Sequence, residues 1–315
     1  MHSLAHPLVA IVGPTASGKS ALSDRLASCS NIPSIILSTD SMQIYRSMDI
    51  GTGKVAPKDR SVPYYGIDIV DPSQSYSAAL FQRYGRSVIE HASARGKRCI
   101  LCGGTGFYLR SVIDDYHYDA SDTVDDGCVR KACEDYVVSN GSNGLWKKLE
   151  MRDSASAALI HPHDTKRIIR AFELLNSGSS YAQKRKELAH ITPYYQTICI
   201  GLHVDPDVLN KRIDARVDQM IEEGFVDEVK HLLDLGYGNT ATARQAIGYR
   251  EIADVLHGRM TLDQACNAIK VATHRYAKRQ RTWFRKDMRI HWLNADSASI
   301  DQLVDSAQSI IVRLK

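Results

Sequence analysis

Gly13-Pro14-Thr15-Ala16-Ser17-Gly18-Lys19-Ser20 decides how this chain is read. It follows an apolar run, Leu8-Val9-Ala10-Ile11-Val12, and leads into Ala21-Leu22-Ser23-Asp24-Arg25-Leu26-Ala27. The order is strand, glycine-bounded loop, helix. The spacing fits G-x-x-x-x-G-K-[ST], a loop whose backbone N–H groups wrap a string of phosphates at a helix N-terminus. In such a loop Lys19 reaches the terminal phosphates and the Ser20 hydroxyl sits on a Mg²⁺ ion. The motif alone fits ATP as well as any other polyphosphate.

Working outward, the chain punctuates itself as alternating strands and helices. Pro33-Ser34-Ile35-Ile36-Leu37-Ser38 is an apolar strand ending in Thr39-Asp40-Ser41, and Tyr64 to Val70 reads as a third strand with its exit turn. An amphipathic helix opens at Tyr76 and closes at Gly96; Arg98 to Cys102 is a fourth strand, followed at once by Gly103-Gly104-Thr105-Gly106. This alternation predicts an α/β protein with a doubly wound parallel sheet of the P-loop type. Ligands of such sheets sit beyond the carboxyl ends of the strands, which puts Asp40 and the Gly103–Gly106 loop at the mouth of the phosphate site. The alternative reading of Asp40 is the cap of a short helix.

From about His117 the strands stop. Residues 118–189 show helical periodicities and many basic side chains, and Asp164 stands as an N-cap for a helix carrying Lys166 and Arg170 on one face. His161 and His163 are explained by that turn rather than by a metal. The expected organisation is a P-loop core over 1–116, an all-helical insertion over 117–189, and the rest of the core over 190–315. The second core part carries a strand at Thr197–Val204 and helices at 208–223 and 225–235. A further helix begins at Gln245, and a basic one runs from Thr261 with Lys270, Arg275, Lys278, Arg279, Arg281 and Arg285 around Tyr276 and Trp283. A last strand at 290–293 and a closing helix at 300–314 follow.

At 315 residues, 43% hydrophobic and 24% charged, with net charge +4, the chain has the composition of a soluble globular protein. The mild basicity permits a nucleic-acid partner, and the clustering of cations beside aromatics fits an RNA or polyphosphate surface as well as a solvated charged face. No apolar run reaches membrane-spanning length, and the N-terminus has no leader-like pattern, so a cytoplasmic protein is expected. Seven scattered cysteines argue against a disulfide framework. Cys99 and Cys102 lie three apart within a strand, on opposite faces, and read as structural thiols.

Where a Walker B strand would offer an acid, the fourth strand ends in Gly-Gly-Thr, which argues against a generic NTPase. The residues resemble the tRNA dimethylallyltransferase (tRNA isopentenyltransferase) family, in its compact bacterial form, from Val9 to Trp292. The resemblance rests on residues 13–20, Asp-Ser-Met-Gln-Ile-Tyr-Arg at 40–46, Met-Asp-Ile-Gly-Thr at 48–52 and Asp-Pro-Ser-Gln-Ser-Tyr-Ser-Ala at 71–78. Gly-Gly-Thr-Gly-Phe-Tyr at 103–108, His-Pro-His-Asp at 161–164, Arg-Ile-Ile-Arg at 167–170, Gln-Ala-Ile-Gly-Tyr-Arg at 245–250 and Ala-Lys-Arg-Gln-Arg-Thr-Trp-Phe at 277–284 complete it. Two departures are His163, where the family commonly has Asn, and Gly53, where Ala is common.

The resemblance implies transfer of a dimethylallyl group from dimethylallyl diphosphate to N6 of the adenosine 3′ of the anticodon, tRNA position 37, with Mg²⁺. It implies Asp40 as the base, with Thr15, Lys19 and Thr105 as further catalytic residues. Gly13, Pro14, Thr15, Ala16, Ser17, Gly18, Lys19 and Ser20 would hold the diphosphate, and Ser20 the metal. It assigns tRNA contacts to Asp40, Ser41, Met42, Gln43, Gly106, Lys166, Arg167, Ile168, Ile169, Arg170, Gln245, Ala246, Ile247, Gly248, Tyr249 and Arg250. The target base would be flipped from its loop. An adenylate isopentenyltransferase would share the phosphate loop and Asp40 but lack the basic insertion. A P-loop kinase or RNA-binding ATPase would hydrolyse ATP without needing Asp40. No oligomerisation helix is evident, and a monomer is expected.

Overall fold

The computed structural model describes residues 2–118, 127–189, 192–237, 240 and 246–314. These form two compact units, one made of Met1–Ile113 with Pro193–Lys315 and the other of Asp114–Thr192. The first unit is built on six parallel strands, β1 (Leu8–Val12), β2 (Ser34–Ser38), β3 (Tyr64–Tyr65), β4 (Arg98–Gly103), β5 (Thr197–His203) and β6 (Ile290–Asn294). Their order across the sheet is β3-β2-β4-β1-β5-β6. Central β1 pairs with β4 through Val9↔Ile100 and with β5 through Val9↔Ile198. The run of buried residues along β1, β2 and β4 is what a sheet covered on both faces requires.

Side-chain alternation divides the core in two. Leu8, Ala10 and Val12 face one layer with Ile35, Leu37, Cys99 and Leu101. That layer is covered by α2 (Ala78–Ala94) and α3 (Gly106–Ile113), and by α9 (Phe225–Asp234), α10 (Tyr249–Leu256) and part of α11 (Leu262–Phe284). Val9 and Ile11 face the other layer with Ile36, Ile100 and Cys102. There they meet α1 (Lys19–Ser28), part of α8 (Pro206–Glu222) and α12 (Ile300–Arg313). Cys99 and Cys102 therefore lie in different layers, both buried and both free thiols.

The topology fixes where a ligand goes. The chain leaves β1 for β2, beyond β4, and leaves β4 for β5, beyond β1. These opposite departures make a switch point at the carboxyl ends of β1 and β4, the place where open α/β sheets open a crevice.

The sequence reading and the structure part most clearly at two element boundaries. The third strand ends at Tyr65 because Gly66 (φ 75°) and Asp68 (φ 56°) take left-handed conformations that no strand continues through. The helix expected from Gln245 begins at Tyr249, behind Gly248 at φ 95°, while residues 241–245 lie outside the described residues.

The second unit is built from α4 (Cys128–Arg152), α5 (Ser154–Ala157), α6 (Thr165–Asn176) and α7 (Tyr181–Ala189). Gly141, at φ 72° and ψ 168°, breaks α4. Asp164 caps α6, its carboxylate accepting from the Arg167 amide. Ile168, Ile169 and Phe172 pack with Leu145 and Leu149 in this unit's own apolar core.

Candidate active site

The phosphate loop is shaped by close approach and by an uncapped helix. Gly13 sits at φ 147°, and a Cβ there would come within 3.0 Å of the Leu202 carbonyl, so β5 presses against the loop. Gly18, at φ 92°, starts α1, and no side chain caps that N-terminus. The first amides of α1 and the positive end of its dipole are thus free to face an anion. The Lys19 ammonium donates to the Pro14 carbonyl at 2.5 Å, folding back over the loop.

Beside the loop lies a cavity of about 380 Å³, lined by Lys19, Ser20, Asp40, Arg216, Tyr276 and Gln280 among others. Asp40, just beyond the end of β2, accepts the Met42 amide on Oδ1 at 2.9 Å. Burial lifts the Asp40 carboxyl above its ordinary range, against the pull of the Met42 amide and the charges of Lys19 and Arg216. Burial also lowers the Lys19 ammonium to about 8, opposed by Asp40 and reinforced by Arg216. One carboxylate and two cations thus share one poorly solvated space. Such an arrangement stabilises an anionic leaving group while keeping a base at hand.

Thr105 belongs to the same site. Its Oγ1 accepts from the Ser41 amide at 3.1 Å and its hydroxyl donates to Ser41 Oγ at 3.3 Å, so the loops after β2 and β4 are tied together. Tyr276 lines the same cavity, and burial beside Asp40 pushes its phenol up to about 12, which keeps the O–H proton in place. Gln43 is held by its own network: Ser38 donates to Oε1 at 2.8 Å, and Nε2 donates to the Thr52 and Gly53 carbonyls at 3.2 Å. Met42 lines the cavity as well. Gly106 is buried, with Trp283 lying where its Cβ would be.

Three residues outside the expected set shape the walls. Arg216 of α8 occupies the space a Cβ on Gly53 would take, and Gly53 itself is left-handed at φ 62°. The departure at Gly53 thus makes room for the arginine that faces Asp40. Glu228 of α9 accepts the amides of Asp49 (3.0 Å), Ile50 (2.6 Å) and Gly51 (3.2 Å), and the Tyr249 hydroxyl at 2.6 Å. It joins the 48–52 and 245–250 motifs, whose distance along the chain gives no sign that they are neighbours. Gln280 of α11 accepts from the Thr15 amide and donates to the Gly104 carbonyl.

The remaining expected contacts divide by exposure. Ala246, Gly248 and Tyr249 are buried, Ile247 lines the cavity, and Arg250 is exposed and paired with Glu251 at 2.9 Å. Gln245 lies outside the described residues. In the second unit Lys166, Arg167 and Arg170 are exposed on α6, whereas the Ile168 and Ile169 side chains are core. Arg167 pairs with Asp164, and Arg170 with Glu173.

Among the described residues no group of three or more His, Cys, Asp or Glu could hold a metal ion unaided. The Ser20 hydroxyl and Asp40 carboxylate share the cavity, and Mg²⁺ is commonly bound by one or two protein oxygens with substrate phosphates and water. The residues fit that mode.

Sheet order, loop and cavity define a phosphate-loop α/β protein with a cavity at the β1/β4 switch point. Within that class the chain belongs to the IPP transferase family, whose model matches residues 43–287. It is 44% identical over 304 residues to the tRNA dimethylallyltransferase of Carboxydothermus hydrogenoformans, covering 96% of each chain. It is similar in structure to the tRNA delta(2)-isopentenylpyrophosphate transferase of Staphylococcus epidermidis, with TM-score 0.71 and 36% identity over 98% of this chain and 99% of that one. A eukaryotic dimethylallyltransferase acting on tRNA gives TM-score 0.78 at 28% identity, covering 97% of this chain and 78% of that one.

Proposed function

We propose that this protein transfers the dimethylallyl group of dimethylallyl diphosphate to N6 of the adenosine 3′ of a tRNA anticodon. The observation that carries this reading is the cavity in which Asp40 faces Lys19 and Arg216 beside the 13–20 loop. The names of the relatives supply the donor group and the RNA.

The exocyclic amine is a weak nucleophile, because its lone pair is delocalised into the purine. In the reaction a bond forms between N6 and C1 of the allyl group, the C1–O bond to diphosphate breaks, and the N6 proton passes to Asp40. A carboxylate raised above its ordinary pKa is a stronger base for that proton. Lys19, Arg216 and the free amides at the start of α1 take up the charge that grows on the departing diphosphate. Ser20, with Asp40 near, would hold a Mg²⁺ ion whose charge neutralises the diphosphate further. Thr105, bonded to Ser41, keeps the Asp40 loop in register with the loop after β4. The apolar wall formed by Ile213, Val217, Met220 and Ile269 suits the prenyl tail. The exposed cations of α6 would bind tRNA phosphates.

The test is transfer to an anticodon stem-loop. Product is expected on an RNA with adenosine 3′ of the anticodon and none when guanosine replaces it. Equal modification of other adenosines in the same RNA would contradict the reading.

A further inference from the structure

Gln280 is only 5% exposed, and both ends of its amide are used. Oε1 accepts from the Thr15 backbone N–H at 2.8 Å, and Nε2 donates to the Gly104 carbonyl at 3.0 Å. A single side chain thus spans the loop after β1 and the loop after β4, the two sides of the switch point. The fit is close: a Cβ on Gly104 would lie 2.1 Å from Gln280 Nε2. Gly104 has no left-handed φ, so the constraint there is space. The bond to Thr15 also removes one amide from the phosphate cradle and fixes the loop's first turn. On α11 the neighbouring cations Lys278 and Arg279 are exposed, while Ala277 and Gln280 are buried.

We propose that Gln280 is a positioning residue that sets the diphosphate cradle by clamping Thr15 to Gly104, and so ties the basic helix α11 to donor binding. Its amide is spent on the two loops, and it acts through the loop amides that face the ligand. The inference rests on the reading above for what the loop holds, namely a diphosphate.

The test measures binding of inorganic diphosphate with Mg²⁺ by calorimetry, and steady-state transfer with both substrates varied. An unmade buried hydrogen bond predicts that Gln280→Ala weakens diphosphate binding on the order of 10- to 100-fold. The KM for dimethylallyl diphosphate rises with it, while that for tRNA stays within about twofold. Gln280→Met, which fills the space without hydrogen bonds, shows the same loss. Gly104→Ala pushes the amide aside and weakens diphosphate binding too, yet adds nothing in the Gln280→Ala background, where the new methyl has room. Normal diphosphate binding by Gln280→Met, additive losses in the double variant, or an equal rise in both KM values overturns the clamp. So does failure of the unsubstituted protein to bind diphosphate. Diphosphate binding with the predicted variant pattern but no prenyl transfer upholds the clamp and overturns the transfer reading.

Discussion

In the proposed reaction Asp40 and Lys19 act in opposite charge states, and this predicts the pH profile. The proposed transfer would need Asp40 ionised to accept the N6 proton and Lys19 protonated to hold diphosphate. Burial raises the first group and lowers the second to about 8. The rate per free enzyme, kcat/KM for the donor, is expected to rise through the Asp40 titration and fall above about pH 8. Bound diphosphate favours the ammonium, so the alkaline limb of kcat lies at higher pH than that of kcat/KM; coincident limbs would contradict the assignment to Lys19. Asp40→Ala is expected to lower kcat about 10²- to 10⁴-fold, with donor affinity kept within a few-fold, measured by single-turnover kinetics. These two residues were legible in the sequence. Lys19 sits in a motif whose spacing is dictated by phosphate geometry, and Asp40 ends an apolar strand where a parallel sheet opens. Arg216 has no such local mark in the sequence, because what it faces depends on how α8 packs.

The elements position the site through contacts between residues far apart in the chain. Glu228 of α9 holds three successive amides of the 49–51 segment and the Tyr249 hydroxyl. Glu228→Ala leaves those donors without their acceptor and is expected to cost about 1–3 kcal/mol in denaturant unfolding. An unchanged midpoint would show that the segment is held by other means. Gly53→Ala adds a methyl where the Arg216 guanidinium lies and puts a side chain at φ 62°. It is expected to raise the donor KM on the order of tenfold, the worth of one charge-assisted contact. Strand and helix types followed from apolar runs and periodicity, and the capping of α6 by Asp164 was readable from its position. The clamp by Gln280, 265 residues from Thr15, was not, since no local pattern marks a side chain that is polar, buried and bonded to a distant loop. The short β3 shows the same limit, for it stops where Gly66 and Asp68 turn left-handed, a conformation that the apolar pattern through Val70 conceals.

At the scale of the molecule, donor chemistry and the exposed cations of the helical unit are expected to be separable by substitution. Reversing charge at Lys166 and Arg167 on α6 is expected to weaken tRNA binding and make it less steeply salt-dependent, with diphosphate binding unchanged. No change in the salt slope would exclude these side chains from phosphate contact. Among the described residues no helix is long and apolar enough to cross a membrane. Prenyl transfer to a tRNA base by a phosphate-loop protein can be read out directly. The protein is incubated with dimethylallyl diphosphate, Mg²⁺ and an unmodified tRNA whose anticodon is followed by adenosines, with Asp40→Ala protein and free AMP as parallel samples. Nucleoside mass spectrometry is predicted to find N6-isopentenyladenosine from the tRNA alone, lost with Asp40→Ala. Product on AMP, or ATP turnover with no prenylated nucleoside, would contradict transfer to tRNA.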